Sequence, residues 1–500
     1  MKDSSSNLSN VTSAHEVPAH QAFHLVGIGG AGMSVVAHLL QDMGYAVSGS
    51  DRQEADTLPE LRELGVKVYV GHRAEQVPAG AILVVTSAVR EDNPEVVRAE
   101  ELGLEIWHRS QALDFCTRSH DLVAVAGAHG KTTTSAMIAA ALLASDADPS
   151  FAIGGVIAAL GTGARLGKGN AFVIEADESD GSFLNYAPLV EVLTNIEADH
   201  LDHWGSEAAF DAAFVEFTER LRDGGTVVAC GDDPGVQRLW GRFNPAARRI
   251  SYGFGSGLPG ADLVVKLGEP SLGAGIAVAP VEVSKGHGAN SGQIGEDHAA
   301  GETGEIVYSG ELRLAVGGKH MLLNAAGALG VASALGLDLG QFAAALGKFS
   351  GANRRMQFVG EVEGVRIYDD YGHHPTEIEA TLEAARALAG EGRLLVCFQP
   401  HLYSRTFTFQ DEFAKALSLA DEVVICGVYA AREAPLPGVN GNTISEKMGA
   451  RARFVEDMFA AGDVAFAAAQ PGDLLLFLGA GSITHVAHKL AAGLGEGDCA

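Results

Sequence analysis

The sequence predicts an α/β protein of several units, each a mainly parallel sheet flanked by helices. Three observations carry this. The chain has 500 residues, beyond the size at which one core keeps growing, so about two to four domains are expected. Strand-like apolar runs alternate with helical patterns almost throughout, which is the rhythm of βαβ units. Two glycine-rich turns each lie between an apolar run and a helical pattern, where parallel sheets gather their ligands.

In the first unit FHLVGI, YAVSGSD, VKVYV and AILVVTSA read as strands, and the unit closes near Thr117. DLVAVAGAHGKTTT opens a second, which runs on through NAFVIEAD, LVEVLTNIEADH and GTVVACGDD. A third begins around Gly351 with VRIYDDYGHHP, RLLVCFQPH, EVVICGVY and DLLLFLGAGSI. Residues 253–312 break the rhythm. Their short alternating pieces and glycines predict an antiparallel edge with a flexible loop near His287 to Gly304. Residues 1–20 read as a polar tail.

The formal net charge of −28 argues against a broad nucleic-acid or anionic-membrane surface, since either needs a basic face. It leaves room for small anions, because a few Arg, Lys and backbone N–H groups bind a phosphate locally. Cys116, Cys230, Cys397, Cys426 and Cys499 are scattered without metal-site spacing, and a chain of this size needs no disulfide frame. The polar N-terminus has no signal-peptide core, and no apolar stretch reaches the ~20 residues of a membrane span. A cytoplasmic protein is expected; monomer and homodimer both stay open.

Gly27-Ile28-Gly29-Gly30-Ala31-Gly32 satisfies G-x-G-x-x-G between a strand and the helix MSVVAHLLQDMG, and Asp51 ends the next strand 19 residues after Gly32. Such a turn lets backbone approach a diphosphate at a helix N-terminus while the acid meets a ribose. Taken alone it suits an NAD-dependent oxidoreductase, or a turn that only packs a helix on a sheet. Gly127-Ala128-His129-Gly130-Lys131-Thr132-Thr133-Thr134 is more specific. Backbone N–H groups there cradle phosphates, Lys131 reaches the transferred phosphoryl group, and Thr132 can ligate Mg²⁺. Val125 stands where the common phosphate loop has its first glycine, so this is a short variant.

FVIEADESD and LTNIEADHLDHW end strands beside that loop. Glu175 and His200 suit Mg²⁺ ligation, direct or through water, while Asp177, Asp180 and Asp202 read equally well as solvated loop. Downstream, Arg354-Arg355, Asp370-Tyr371-Gly372-His373-His374-Pro375 and His401 to Arg405 each sit at a strand end or turn, a concentration unlike surface decoration.

VGIGGAGMS, VAGAHGKTTTS, IEADESD, TNIEADHLD, RRMQ, DDYGHHPTE, FQPHLYSRT, VYAAREAP and LGAGSI together resemble the Mur ligases of peptidoglycan synthesis, in order from about His24 to Ile483. The resemblance implies three domains with mainly parallel sheets: a Rossmann-like UDP-sugar domain (21–118), a central P-loop ATPase domain (119–350) and a C-terminal Rossmann-like amino-acid domain (351–492). It implies ATP and Mg²⁺, and it gives the first glycine motif to a UDP diphosphate, with Gly29, Gly30, Ala31, Gly32, Met33, Ser50, Asp51 and Ser87 as UDP-sugar residues. ATP falls to Gly127, Ala128, His129, Gly130, Lys131, Thr132, Thr133, Asn324, Arg355 and Asp370, and the metal to Thr132, Glu175 and His200. Lys131, Glu175, His200, Arg355 and Asp370 are the implied catalytic set. His373, His374, His401, Tyr403, Arg405 and Arg432 belong to the amino-acid domain.

The implied reaction joins L-alanine to the lactyl carboxylate of UDP-N-acetylmuramate through an acyl phosphate. The nearest alternative is a ligase that attaches a recycled peptide to the same sugar nucleotide; a non-catalytic nucleotide-binding regulator is a further one. Two departures stand out. His320-Met321 occupies the family's usual His-Asn pair, although Asn324 is kept. No lysine lies between Lys168 and Lys266, so the carbamylated lysine of some sister ligases has no counterpart.

Overall fold

The computed structural model describes residues 17–18, 20–157, 160–197, 201–273, 275–286, 304–431 and 433–493. His200, Arg432, Cys499, the stretch 287–303 and the side chain of Asp202 lie outside the described residues. By internal contacts the chain divides into Met1–Cys116 and Thr117–Ala500.

The first unit holds one sheet of β1 (Ala22–Val26), β2 (Ala46–Asp51), β3 (Lys67–Val70), β4 (Ile82–Val85) and β5 (Ile106–His108), in the order β3-β2-β1-β4-β5. All four pairings are parallel. The order reverses between β1 and β4, and at such a switch the loops diverge and leave a crevice. The turn at Gly27, with φ +77°, leads from β1 into the helix Ala31–Asp42.

The second unit begins with an eleven-stranded sheet. Its strands are β6 (Asp121–Ala126), β7 (Ser150–Ile157), β8 (Thr162–Arg165), β9 (Ala171–Glu175), β10 (Val190–Leu193), β11 (Thr226–Cys230), β12 (Arg248–Gly253), β13 (Leu263–Leu267), β14 (Ser271–Gly273), β15 (Ile276–Lys285) and β16 (Ile306–Leu314). The order is β14-β15-β13-β12-β11-β10-β6-β9-β7-β8, with β16 on β15. Strands β9, β6, β10, β11, β12 and β13 run parallel, and from β13 onward β15, β14 and β16 pair antiparallel. The antiparallel edge expected for 253–312 is therefore present.

Two helices cover the parallel part. Lys131–Ala144 is mostly buried, and its alanines let it lie close on the strands. Lys319–Ala334 also approaches closely: a Cβ at Gly330 would meet Val228 at 2.5 Å, so only glycine fits there.

The remaining sheet has β17 (Gln357–Val362), β18 (Val365–Asp370), β19 (Leu394–Phe398), β20 (Glu422–Ile425), β21 (Ala452–Phe454) and β22 (Leu474–Leu478), in the order β17-β18-β22-β19-β20-β21. Only β17 is antiparallel. Its turn uses Glu363 (φ +52°) and Gly364 (φ +79°), the pair of positive φ values that lets a two-residue hairpin follow the strand twist. The all-buried runs LLVCF and LLLFL form β19 and β22, as parallel strands covered on both faces should.

Glu191 of β10 is fully buried, flanked in register by Ala124 and Val227, and neither carboxylate oxygen has a hydrogen-bond partner. Burial raises its pKa well above the ordinary 4.5. The folded chain then holds a proton that the unfolded chain releases, so this residue's contribution falls as pH rises above that ordinary value, by up to about 1.4 kcal/mol per pH unit. Glu191→Gln is expected to melt higher than the parent in alkaline buffer and close to it in weakly acidic buffer. An equal gap in Tm at both pH values removes the protonated-acid reading.

Candidate functional site

Strand β6 delivers the chain into the loop Gly127–Gly130, and the helix begins at Lys131. Gly127 has φ +134°, and a Cβ there would meet Thr194 Oγ1 at 2.2 Å. The His129 N–H donates to Asn195 Oδ1 (2.9 Å), while its carbonyl accepts from Thr194 Oγ1 (2.6 Å) and Asn195 Nδ2 (2.8 Å). The loop is thereby tied to the segment after β10 and aims a helix N-terminus at whatever lies above it, a site that favours anions.

Lys131 Nζ folds back over the loop, donating to Gly127 O (2.6 Å), Ala128 O (3.3 Å) and Glu178 Oε1 (2.9 Å). Burial works against its charge, yet the Glu178 and Asp177 carboxylates hold the ammonium above its ordinary pKa. Glu178 itself is buried. Neither composition nor pattern in DESD distinguishes it from its neighbours. Asp177 and Asp180 instead accept from the N–H groups of Ser179 and Ser182, both at 3.0 Å, and so shape the loop.

Glu175 closes β9, where its Oε1 accepts from the Gly154 N–H (3.1 Å) and its carboxylate is bonded by the Thr132 side chain. Burial raises its pKa, an effect only partly offset by Lys131. A desolvated carboxylate beside a hydroxyl is a hard-oxygen donor set, which suits Mg²⁺. His200 lies outside the described residues, so this set is seen without it.

Asp370 ends β18 and braces two turns. Its Oδ2 accepts from the Met356 N–H (2.7 Å) and its Oδ1 from the Gly372 N–H (2.8 Å) and Thr381 Oγ1 (3.3 Å). Burial pushes it up to about 6, against the pull of Arg355. Arg355 lies 3.8 Å from Glu377 and over the Tyr371 ring, and its charge also bears on Glu175. Desolvation, with the Arg355 charge, lowers His320 to about 4. Asn324 faces the loop, with Oδ1 3.1 Å from where a Gly130 Cβ would be. Alongside runs a cleft of about 870 Å³ lined by Gly318, Met321, Arg355, Met356, Phe358 and Tyr368 among others.

His373, His401 and Arg405 gather past the ends of β18 and β19. The rings of His373 and His401 are 5.5 Å apart, Arg405 Nη1 reaches His401 Nδ1 at 3.3 Å, and His401 stacks on Tyr429. Burial lowers His373 to about 3, so it is neutral near pH 7. Tyr403 opens the helix Tyr403–Thr408 beside them. Tyr429, and Glu433, which bonds the Ser404 N–H (3.0 Å), are members the sequence did not single out.

In the first unit Asp51 Oδ2 accepts from the Gly29 N–H (2.9 Å), so the acid braces the glycine turn. The Ser50 hydroxyl is fully buried and donates to Glu95 Oε2 (2.5 Å) in a network with His24, Ser48 and His72. Met33 is buried, whereas Gly30, Ala31 and Ser87 are exposed. Arg109, unremarked in the sequence, lies against Gly32 at the helix start.

Three family descriptions match the chain: "Mur ligase family, catalytic domain" over residues 22–120, "Mur ligase middle domain" over 125–332, and "Mur ligase, glutamate ligase domain" over 354–481. A UDP-N-acetylmuramate–L-alanine ligase of Kineococcus radiotolerans is 46% identical over 480 residues, 95% of this chain and 96% of that one. One of Mycobacterium marinum is 43% identical over 490 residues, 95% of each chain. Among solved structures, the UDP-N-acetylmuramate-alanine ligase of Thermotoga maritima is 29% identical with a TM-score of 0.76, covering 95% of this chain and 99% of that one. A murein peptide ligase of Psychrobacter arcticus shares the fold at 23% identity and a TM-score of 0.68, over 96% of this chain and 100% of that one.

Proposed function

The chain belongs to the Mur ligase family, and from that membership we propose that it joins L-alanine to the lactyl carboxylate of UDP-N-acetylmuramate at the expense of ATP. The observation that carries the chemistry is the loop Gly127–Gly130 with Lys131 folded over it and Glu175 and Thr132 beside it.

A substrate carboxylate oxygen attacks the γ-phosphorus of ATP, ADP leaves, and an acyl phosphate forms. The phosphate loop and Lys131 hold the β- and γ-phosphates, and Lys131 exchanges its bond to Glu178 for phosphate oxygens. Thr132 and Glu175, with His200, are the residues to hold Mg²⁺, which when bound neutralises phosphate charge. Asn324 and the cleft beside Arg355 receive the adenine. The amine then attacks the acyl carbon, the C–O bond to phosphate breaks, and the amine loses a proton. The neutral His373, with His401 and Arg405, lines the place for the amino acid. The diphosphate of the sugar nucleotide falls to Gly29–Gly32. An NAD-dependent oxidoreductase leaves the second glycine loop without a role.

No described helix is long and apolar enough to cross a membrane, and we assign the reaction to the cytoplasm, where ATP is made and held. The test is phosphate release and amide formation with UDP-N-acetylmuramate and ATP, screened across single amino acids and the peptides of wall turnover. L-Alanine should far exceed the rest. Turnover with a peptide and none with any single amino acid overturns the assignment in favour of a recycling ligase.

A further inference from the structure

The reaction as described uses the backbone of His129 and leaves its imidazole idle, yet that ring is the most heavily engaged side chain of the phosphate loop. It leaves the loop and meets the first turn of the helix Pro375–Ala389, which follows β18. Its Nδ1 is 3.4 Å from Glu377 Oε1, and its Nε2 is 3.1 Å from Glu197 Oε2. Its plane stacks on His374 with centroids 4.7 Å apart and 28° between the rings. Glu197 accepts in turn from Thr376 Oγ1 at 3.1 and 3.2 Å. Glu377 also takes the N–H groups of His373 (3.0 Å) and His374 (3.3 Å), and Arg355 stands 3.8 Å away.

One imidazole thus joins three segments distant in sequence: the phosphate loop, the stretch after β10, and the turn that carries His373. Burial opposes its charge, but the Glu197 and Glu377 carboxylates hold it up to about 9, so the bridge is ionic near pH 7. Charge-assisted bonds of this kind are roughly twice as strong as neutral ones.

We propose that His129 is a positioning residue that clamps the His373–Glu377 turn onto the phosphate loop and so keeps the acyl phosphate from water until the amine attacks. The inference rests on the ligase reading above. An acyl phosphate exposed to water is lost: the water oxygen bonds to the acyl carbon, the C–O bond to phosphate breaks, and carboxylate and phosphate separate as the water's protons pass to phosphate and solvent. Sites that trap such intermediates do so by closing, and here the His129 ring in the phosphate loop makes the charged closing contact, beside the bond from Thr376 to Glu197. Within this cluster His129, Glu197 and His374 bring ligand atoms within 4.8 Å of one another. A bound transition-metal ion is therefore the competing use of the cluster.

The test takes the full chain with UDP-N-acetylmuramate, ATP and L-alanine and measures phosphate released per amide formed. The variants are His129→Gln and, as a partner that leaves the loop intact, Thr376→Val; each is checked for an unchanged melting profile. The parent should release one phosphate per amide. Both variants should waste ATP, with the ratio rising several-fold, more in His129→Gln, and falling as L-alanine is raised to outcompete water. Variants that slow without any rise in the ratio overturn the clamp, as does stoichiometric Zn²⁺ binding by the parent that His129→Gln loses. A parent that forms no amide at all fails earlier and overturns the ligase reading itself.

Discussion

Lys131→Ala is expected to lower ATP turnover by about a thousandfold or more, the scale on which a preorganised group facing transition-state charge is felt. No other described lysine or arginine bonds to the loop carbonyls of Gly127 and Ala128. The substitution also strands Glu178, whose carboxylate lies 2.9 Å from the Lys131 ammonium and is only 2% exposed. Removing one partner of a buried ion pair costs about 3–5 kcal/mol when the other stays charged. Burial already raises the Glu178 pKa, so it would take up a proton and part of that cost would be spared. Lys131→Ala combined with Glu178→Gln separates fold from chemistry. The pair should recover the melting temperature lost in the single variant while remaining inactive. Phosphate release near the parent rate in either variant rules out the role given to Lys131.

Glu175→Gln should raise the Mg²⁺ concentration needed for half-maximal activity by about 10-fold to 100-fold, the range over which perturbed metal sites lose affinity. Glutamine keeps an oxygen acceptor for the Gly154 N–H and so preserves the local structure while removing the charge. Saturating Mg²⁺ should restore much of kcat. Superimposable Mg²⁺ titrations for parent and variant defeat the metal assignment and leave Glu175 as a strand-end brace.

Much of this site was legible in the chain because its signals are local. A glycine that must take positive φ between an apolar strand and a helix announces a phosphate loop without help from the rest of the fold. Lys131 and Thr132 follow by offset alone. Acids and histidines at strand ends fell to the site by the topology of parallel sheets, as Glu175 and Asp370 illustrate. Glu178 escaped because three acids within four residues look alike in a string, and only the turns closed by Asp177 and Asp180 direct the middle one to Lys131. Ser50, which the family resemblance gives to the UDP-sugar, has its hydroxyl in a buried network with Glu95 and His72.

By itself the sequence determined the α/β class, the place of the two glycine turns and the family, since hydrophobic period, strand-to-helix junctions and ordered motifs are properties of short segments. Tertiary structure alone decided which side chains meet. Lys131 and Glu178 are 47 positions apart and Glu197 and Thr376 are 179 apart. Charge pairing and desolvation act through space, so the partners of a side chain, and with them its protonation, are settled only when distant segments pack.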